Sequence, residues 1–445
     1  MHMHRIAAGA ATLTVAVALS ACTTGGTTPD GDGPRPVPTT DGTGQTITVW
    51  AMEGDYQDAT LEAINAAFEK QTGAEVDLQI QQWDGITTKI STALATSTPP
   101  DIIDIGNTQV PGYAANGGLL DLSPYAEDLR QGADWLGGLE DPATVADPKT
   151  GEAQLYAVPG FAGARAVIYN KAMWAAAGVT GIPTSYDELT AALDAVRATQ
   201  TAADFAPFYL PGQYWQSSMQ FVWDAGAEIA TYADGSWSGG FSTPEGIAGL
   251  EQFVQFQNAY STGASATLDN ITPDQNQIFA DGKTSAILST SGSIAGIKKA
   301  NPAITDDQLG TFPFPGLSGE TQPAMLGGSV WGIATKSQHR DLALQWAKIA
   351  GSPQIQKDYV FGVDGWIPNS TQAIEAAQAS GLTPQQEGFF AAALNSKATP
   401  AAASWPTIEG DKSIAELFGV VASGAKPVDE AAEAMDAHIA DVLNG

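Results

Sequence analysis

The chain uses cysteine once in 445 residues, as the last member of Leu19-Ser20-Ala21-Cys22, behind an apolar run from Ile6 to Leu19 and the cation Arg5. A thiol in that setting has a specific chemistry. The run is too short to span a bilayer and ends in small residues suited to cleavage, so the pattern is that of a lipobox. Cleavage before Cys22 would free its thiol for a diacylglyceryl group, and several acyl chains would hold the mature protein at the outer face of the cell membrane. The alternative is an ordinary secretory signal over residues 1–21 followed by an incidental cysteine. With no second cysteine there is no internal disulfide.

Other reactive types are scarce or badly spaced. Gly282-Lys283-Thr284 looks like the end of a phosphate-binding loop, but Gln277 stands at the first glycine position. The local order is also helix then strand, the reverse of what aims amides at a phosphate. Ser329, in Gly327-Gly328-Ser329-Val330-Trp331, lacks the closing glycine of a nucleophile elbow. His339 and His438 are the histidines left beyond the signal, each in a solvated helical context without a ligand set, so neither a metal nor a cofactor is expected. The 49 acidic residues against 19 basic ones, net −30 at pH 7, repel phosphate backbones and argue against nucleic acid. Eleven tryptophans are the positive clue. Aromatic rings stack on the C–H faces of sugars, whose hydroxyls seek acidic and amide side chains. A secreted glycoside hydrolase would need the same residue types plus two carboxylates poised across a bond.

The elements that must position these groups alternate. Residues 23–45 carry Gly, Pro, Thr and Asp with Val37 as the sole large apolar residue, and read as a flexible tether. Thr46 to Trp50 reads as a strand. A helix from Asp58 carries Leu61, Ile64 and Phe68 on one stripe and stops at Gly73. A strand near Glu75 to Ile80, a helix near Ile86 to Thr96 and a strand at Asp101 to Ile105 follow. The grammar restarts with a strand at Arg165 to Tyr169, a capping-box helix at Ser185-Tyr186-Asp187-Glu188 and a helix entrance at Thr243-Pro244. Later helices carry Leu342, Trp346 and Ile349, then Ala432, Met435, Ile439 and Val442. This alternation predicts an α/β fold with parallel-rich sheets, and the length suits two lobes.

Several short stretches occur in a specific order. Trp50 precedes Glu53-Gly54-Asp55; Pro100-Asp101-Ile102-Ile103 precedes Gly112-Tyr113-Ala114 and Gly118-Leu119-Leu120. Tyr156-Ala157-Val158-Pro159, Ile168-Tyr169-Asn170-Lys171, Ala177-Gly178-Val179 and Pro183-Thr184-Ser185-Tyr186-Asp187-Glu188-Leu189 come next, and Phe279-Ala280-Asp281-Gly282-Lys283 and Gly327-Gly328 later. Over nearly the whole mature chain this order resembles the extracellular solute-binding proteins of ABC importers, in the maltose-binding-protein-like cluster that includes actinobacterial sugar-binding lipoproteins.

The resemblance implies a two-lobed periplasmic-binding-protein-like fold (type II) hinged around a ligand cleft. Lobe 1 would comprise residues 46–158 and 317–372, and lobe 2 residues 159–316 and 373–445, behind a signal (1–21) and a lipidated linker (22–45). It implies a monomeric, non-enzymatic binding subunit that captures a mono- or oligosaccharide and delivers it to permease subunits served by a cytoplasmic ATPase. Carried over by stretch, the ligand residues would be Glu53, Asp55, Asn107, Thr108 and Gln109 in lobe 1, and Tyr214, Trp215, Gly292 and Ser293 in lobe 2. Ile294 occupies a place where many members carry an aromatic. Trp83, Gly328, Ser329, Trp331 and Trp366 are further candidates, with core packing as the alternative for each tryptophan. Trp50 and Trp346 read as core. Arg165 near the cleft would favour an acidic sugar, or serve structurally. A non-sugar solute, such as a polyamine, peptide or metal, is the other alternative.

Overall fold

The computed structural model describes residues 33–146 and 152–445; the lipobox at Leu19–Cys22 lies outside them. The predicted elements form where the hydrophobic patterns place them. Strands Thr46–Met52, Glu75–Gln81 and Ile102–Gly106 are linked by helices Asp58–Thr72 and Ile86–Ala95. Leu61, Ile64 and Phe68 are buried on one face of the first helix. The Thr243 side chain accepts from Gly246 N at 3.0 Å and starts the helix Pro244–Tyr260. At Ser185 half of the capping box forms. Its hydroxyl accepts from Glu188 N, while the Glu188 carboxylate turns to the Thr184 N–H and hydroxyl, both near 2.9 Å.

Two sheets organise the body. The larger runs Ile367–Pro368, Ala157–Gly163, Gly327–Ile333, Ile102–Gly106, Thr46–Met52, Glu75–Gln81. The last three are parallel, as helix-linked strands must be when each crossover returns to the same edge. The others are antiparallel to their neighbours. The smaller sheet orders Ala286–Thr290, Arg165–Asn170, Leu309–Phe312 with both pairings antiparallel. Here the expectation of a parallel-rich sheet fails. Arg165–Asn170 enters directly from the strand Ala157–Gly163 of the first sheet, not through a βαβ crossover, and nothing forces it parallel to its neighbours. Single parallel bridges, Ala206 to Thr284 and Tyr209 to Ile287, bring the segment before Tyr214 alongside.

Each sheet has its own core. Ile47, Val49, Ile103, Phe68, Trp331 and Trp346 belong to the first; Val167, Leu288, Phe221, Phe253, Trp405 and Phe418 belong to the second. A third cluster, including Leu139, Ala162, Ala164, Ile287, Leu326 and Phe389, packs around the strands that pass between the sheets. Gly328 lies in that crossing at φ +150°, and a Cβ there would sit 2.1 Å from the Phe161 carbonyl oxygen. The backbone approach admits glycine alone.

The expected tether departs from its prediction over residues 34–45. Arg35 N donates to Pro124 O and Val37 N to an Asp128 carboxylate oxygen, both at 2.8 Å, Val37 is buried, and Gly42 N donates to Thr72 O at 2.8 Å. The composition is that of a linker, yet one apolar side chain and a run of backbone donors suffice to dock it as a strap. Residues 34–445 form one compact unit.

Candidate functional site

Register alone brings a set of loops together. The parallel strands of the larger sheet end at Met52 and Gly106. Ser329 pairs with Gly106, Gly327 with Gly163, and Ile367 with Ala162. One edge therefore collects the Glu53–Asp55 turn, Asn107–Gln109, Gly327–Ser329, Gly163 and Trp366. In the smaller sheet Arg165 pairs with Thr290, so the facing edge carries Arg165, Ser291–Ser293 and the Tyr214–Trp215 helix start. Open α/β sheets bind ligands at such strand ends.

Asp55 is the centre of the first edge. It is 9% exposed, and its two carboxylate oxygens accept from Ser329 Oγ at 2.6 Å and from Trp83 Nε1 at 3.3 Å. Its carbonyl oxygen accepts from Trp366 Nε1 at 2.6 Å. The Trp366 ring lies on Phe161, centroids 4.7 Å apart and 18° from parallel. Trp83 remains 43% exposed beside Gly106. A carboxylate and two indoles thus share one edge. Glu53 is exposed and accepts from Gln82 Nε2.

Beneath them lies Asp104, which the sequence analysis did not single out. Fully buried, it accepts from Met52 N at 3.2 Å and stands within hydrogen-bonding reach of Asp55. Burial, then the charge of Asp55, pushes its carboxyl well above the ordinary aspartate range; burial also raises Asp55, against the hydrogen bonds from Ser329 and Trp83. Of the two, Asp104 is pushed further toward the neutral form, by its burial and by the charge beside it. Tyr56 was also missed. Its ring stacks on Trp331 at 5.3 Å and meets Phe161 edge-on at 5.2 Å.

Several sequence candidates serve elsewhere. Trp331 is 1% exposed, between Tyr56 and Trp346, and offers no face to a ligand. Asn107 is buried and donates to Gly138 O at 3.0 Å and Leu326 O at 3.3 Å, fastening the crossing strands. Trp215 is 8% exposed in the second core, edge-on to Trp405 at 6.3 Å. Ser293 is buried against Ser289 Oγ at 2.7 Å, while Gly292 is exposed. Gly328 holds the close approach described above. Tyr214 OH accepts from Arg165 Nε at 3.2 Å, and Arg165 Nη1 donates to Met325 O at 3.4 Å. This arginine braces the crossing through both bonds.

Thr108 and Gln109 are half-buried, and Thr108 reaches the Glu409 carboxyl, which burial raises and which sits beside Trp405. Thr108 and Glu409 thereby join segments 301 residues apart, a contact no local pattern announces. Each remaining histidine pairs with one carboxylate, His339 with Asp101 and His438 with Asp411, where solvation alone was expected. Among the described residues no group of three potential metal ligands occurs, and no helix is long and apolar enough to cross a membrane. Lys283, of the loop-like triplet, pairs with Asp204 between helix and strand, as its order predicts.

Known proteins place this architecture. The family model for bacterial extracellular solute-binding proteins matches residues 53–357. The diacetylchitobiose binding protein DasA of Streptomyces coelicolor is 33% identical over 390 residues, 87% of this chain and 88% of that protein. Among solved structures, the sugar-binding protein MalE of Xanthomonas citri superposes with a TM-score of 0.76 at 23% identity, covering 90% of this chain and 98% of that one. A cyclo/maltodextrin-binding protein complexed with maltotetraose gives 0.72 at 17%, covering 92% and 99%. The fold is the two-lobed periplasmic-binding-protein architecture, and the chain belongs to the bacterial extracellular solute-binding proteins.

Proposed function

We propose that this protein is the substrate-binding subunit of an ABC importer, holding a mono- or oligosaccharide between the two facing sheet edges and delivering it to a permease. The observation that carries this reading is the cluster of Asp55, Trp83 and Trp366: a carboxylate bonded to one indole, with a second indole on the same residue's main-chain carbonyl, bringing together the acceptor and the aromatic faces that a hydroxyl-rich ring with C–H faces uses. The names of its relatives, a diacetylchitobiose binder and maltose-type binders, support the same substrate class. Lobes of 46–158 with 317–372 and 159–316 with 373–445 would close on the sugar, a membrane anchor at Cys22 would keep the monomer near its permease, and ATP would be used by a separate subunit.

Binding without hydrolysis fits the acidic pair better than a glycosidase does. Asp55 and Asp104 are within hydrogen-bonding reach of each other and Asp104 is sealed below the edge, whereas retaining hydrolysis wants carboxyls about 5–5.5 Å apart flanking the bond. A thermal-shift screen with maltose, maltotetraose, diacetylchitobiose, putrescine and a short peptide tests the reading, since a ligand of the folded state raises its melting point. A sugar should shift it. A shift with putrescine or peptide alone would replace the sugar by another solute.

A further inference from the structure

The helix Trp405–Asp411 belongs to the second core and packs against the first edge. Trp405 and Ile408 are fully buried in that core. Asp411 fastens the far end, accepting from Ser413 N at 2.9 Å and pairing with His438 Nε2 at 2.7 Å. The same helix meets the turn Asn107–Gln109, which follows the strand Ile102–Gly106 of the larger sheet. Glu409 therefore faces Thr108 across the two bodies. Close by, a Cβ on Gly112 would sit 3.6 Å from the Ala403 carbonyl oxygen, so the two segments pass in van der Waals contact.

A carboxylate fits this place poorly. Glu409 is half-buried, burial raises its carboxyl, and the groups that pull it back are the Trp405 indole and the Thr108 hydroxyl. The indole nitrogen stops short of a hydrogen bond. Of the charged groups on and beside the helix, Asp411 and His438 satisfy each other, Glu416 lines a recess with His438, and neither these nor Lys412 contributes to the shift. An ionised carboxyl that loses water without gaining a cation raises the free energy of the arrangement that buries it. The Asn107–Gln109 turn belongs to the first body, so parting the bodies would take Thr108 away and let water reach the carboxylate.

We propose that Glu409 is a pH-dependent brake on closure of the ligand cleft: ionised, it resists the closed arrangement, and protonated, it lets the bodies meet. The brake rests on the two-body cleft of the proposed function and adds a regulation to it. By linkage, a carboxyl held higher in the closed arrangement than in the open one takes up a proton on closing. Ligand affinity then rises as pH falls through the closed value and levels off below the ordinary glutamate value of 4.5.

Calorimetric titration of the full chain with maltose, maltotetraose and diacetylchitobiose, at about pH 7.5 and about pH 5, tests this in wild type and Glu409→Gln. A sugar that binds should bind Glu409→Gln about threefold or more tightly than wild type at the higher pH, with the gap narrowing at the lower. Wild-type titrations in two buffers of different ionisation heat should show net proton uptake, smaller in the variant, and thermal melts confirm that the variant folds. Weaker binding by Glu409→Gln would mean that the sugar or Thr108 needs the ionised carboxyl, and would overturn the brake. A gap that does not change with pH would overturn it too, and either result leaves the carbohydrate reading standing. Failure of all three sugars overturns both.

Discussion

Truncating Trp366 and truncating Trp215 should fail in opposite ways. Trp366→Ala removes a ring that a sugar can stack on, about 0.5–1.5 kcal/mol beyond its area, so affinity should drop roughly tenfold or more. It also loses the Phe161 stack and the bond to Asp55 O, costing about 1–3 kcal/mol of stability. Trp215→Ala empties part of a core and should cost about 3–5 kcal/mol of stability, with the affinity of the folded protein nearly unchanged; melts and calorimetry on both separate the roles. Asp104 makes a pH prediction. Its folded carboxyl titrates above the ordinary value of 3.8, so the folded state binds its proton more tightly than the unfolded state does. Its destabilising effect is absent below that ordinary value, grows as pH rises from there, and levels off above the folded value. Asp104→Asn removes the buried titrating group and should stabilise the protein at pH 7 by about 1 kcal/mol, with the advantage vanishing near pH 3. An equal advantage at both pH values would contradict a raised Asp104 carboxyl. Asp55 was named from its ordered stretch, and Ser329 and Trp366 were named as further candidates. Asp104, Tyr56 and Phe161 were not, because what they touch is decided by strand register.

At the level of elements, local chemistry carried far. Thr243-Pro244 starts a helix through its own side chain, and the buried stripe of Leu61, Ile64 and Phe68 is the helical period itself. Where the chain passes between sheets, local pattern runs out. The same alternating hydrophobicity describes Arg165–Asn170 whether its neighbours run parallel or antiparallel, and docking of Pro34–Gln45 depends on partners such as Pro124 and Asp128, far along the chain. The tightest point of the crossing is Gly328. Gly328→Ala sets a Cβ against the Phe161 carbonyl at a φ that L residues avoid, and should cost about 2–3 kcal/mol. Denaturant unfolding checks this, and a loss below about 0.5 kcal/mol would mean the crossing yields easily.

For the whole molecule, the two sheets with their own cores are joined through crossing strands, and under the proposed function a ligand that touched both edges would favour a closed form. Small-angle scattering should show a smaller radius of gyration with saturating sugar and unchanged helical circular dichroism. An unchanged radius would mean the cleft is preformed. The low density of basic groups, 19 among 445 residues, agrees with a neutral, hydroxyl-rich ligand recognised by hydrogen bonds and stacking. The most direct measurement is calorimetric titration of wild type, Asp55→Ala and Trp366→Ala with the sugar that raises the melting point most. Wild type should bind one equivalent, and both variants, while still folded, should bind at least tenfold more weakly. Equal affinity in all three proteins, or no heat with any sugar, would contradict a carbohydrate site built on Asp55 and Trp366.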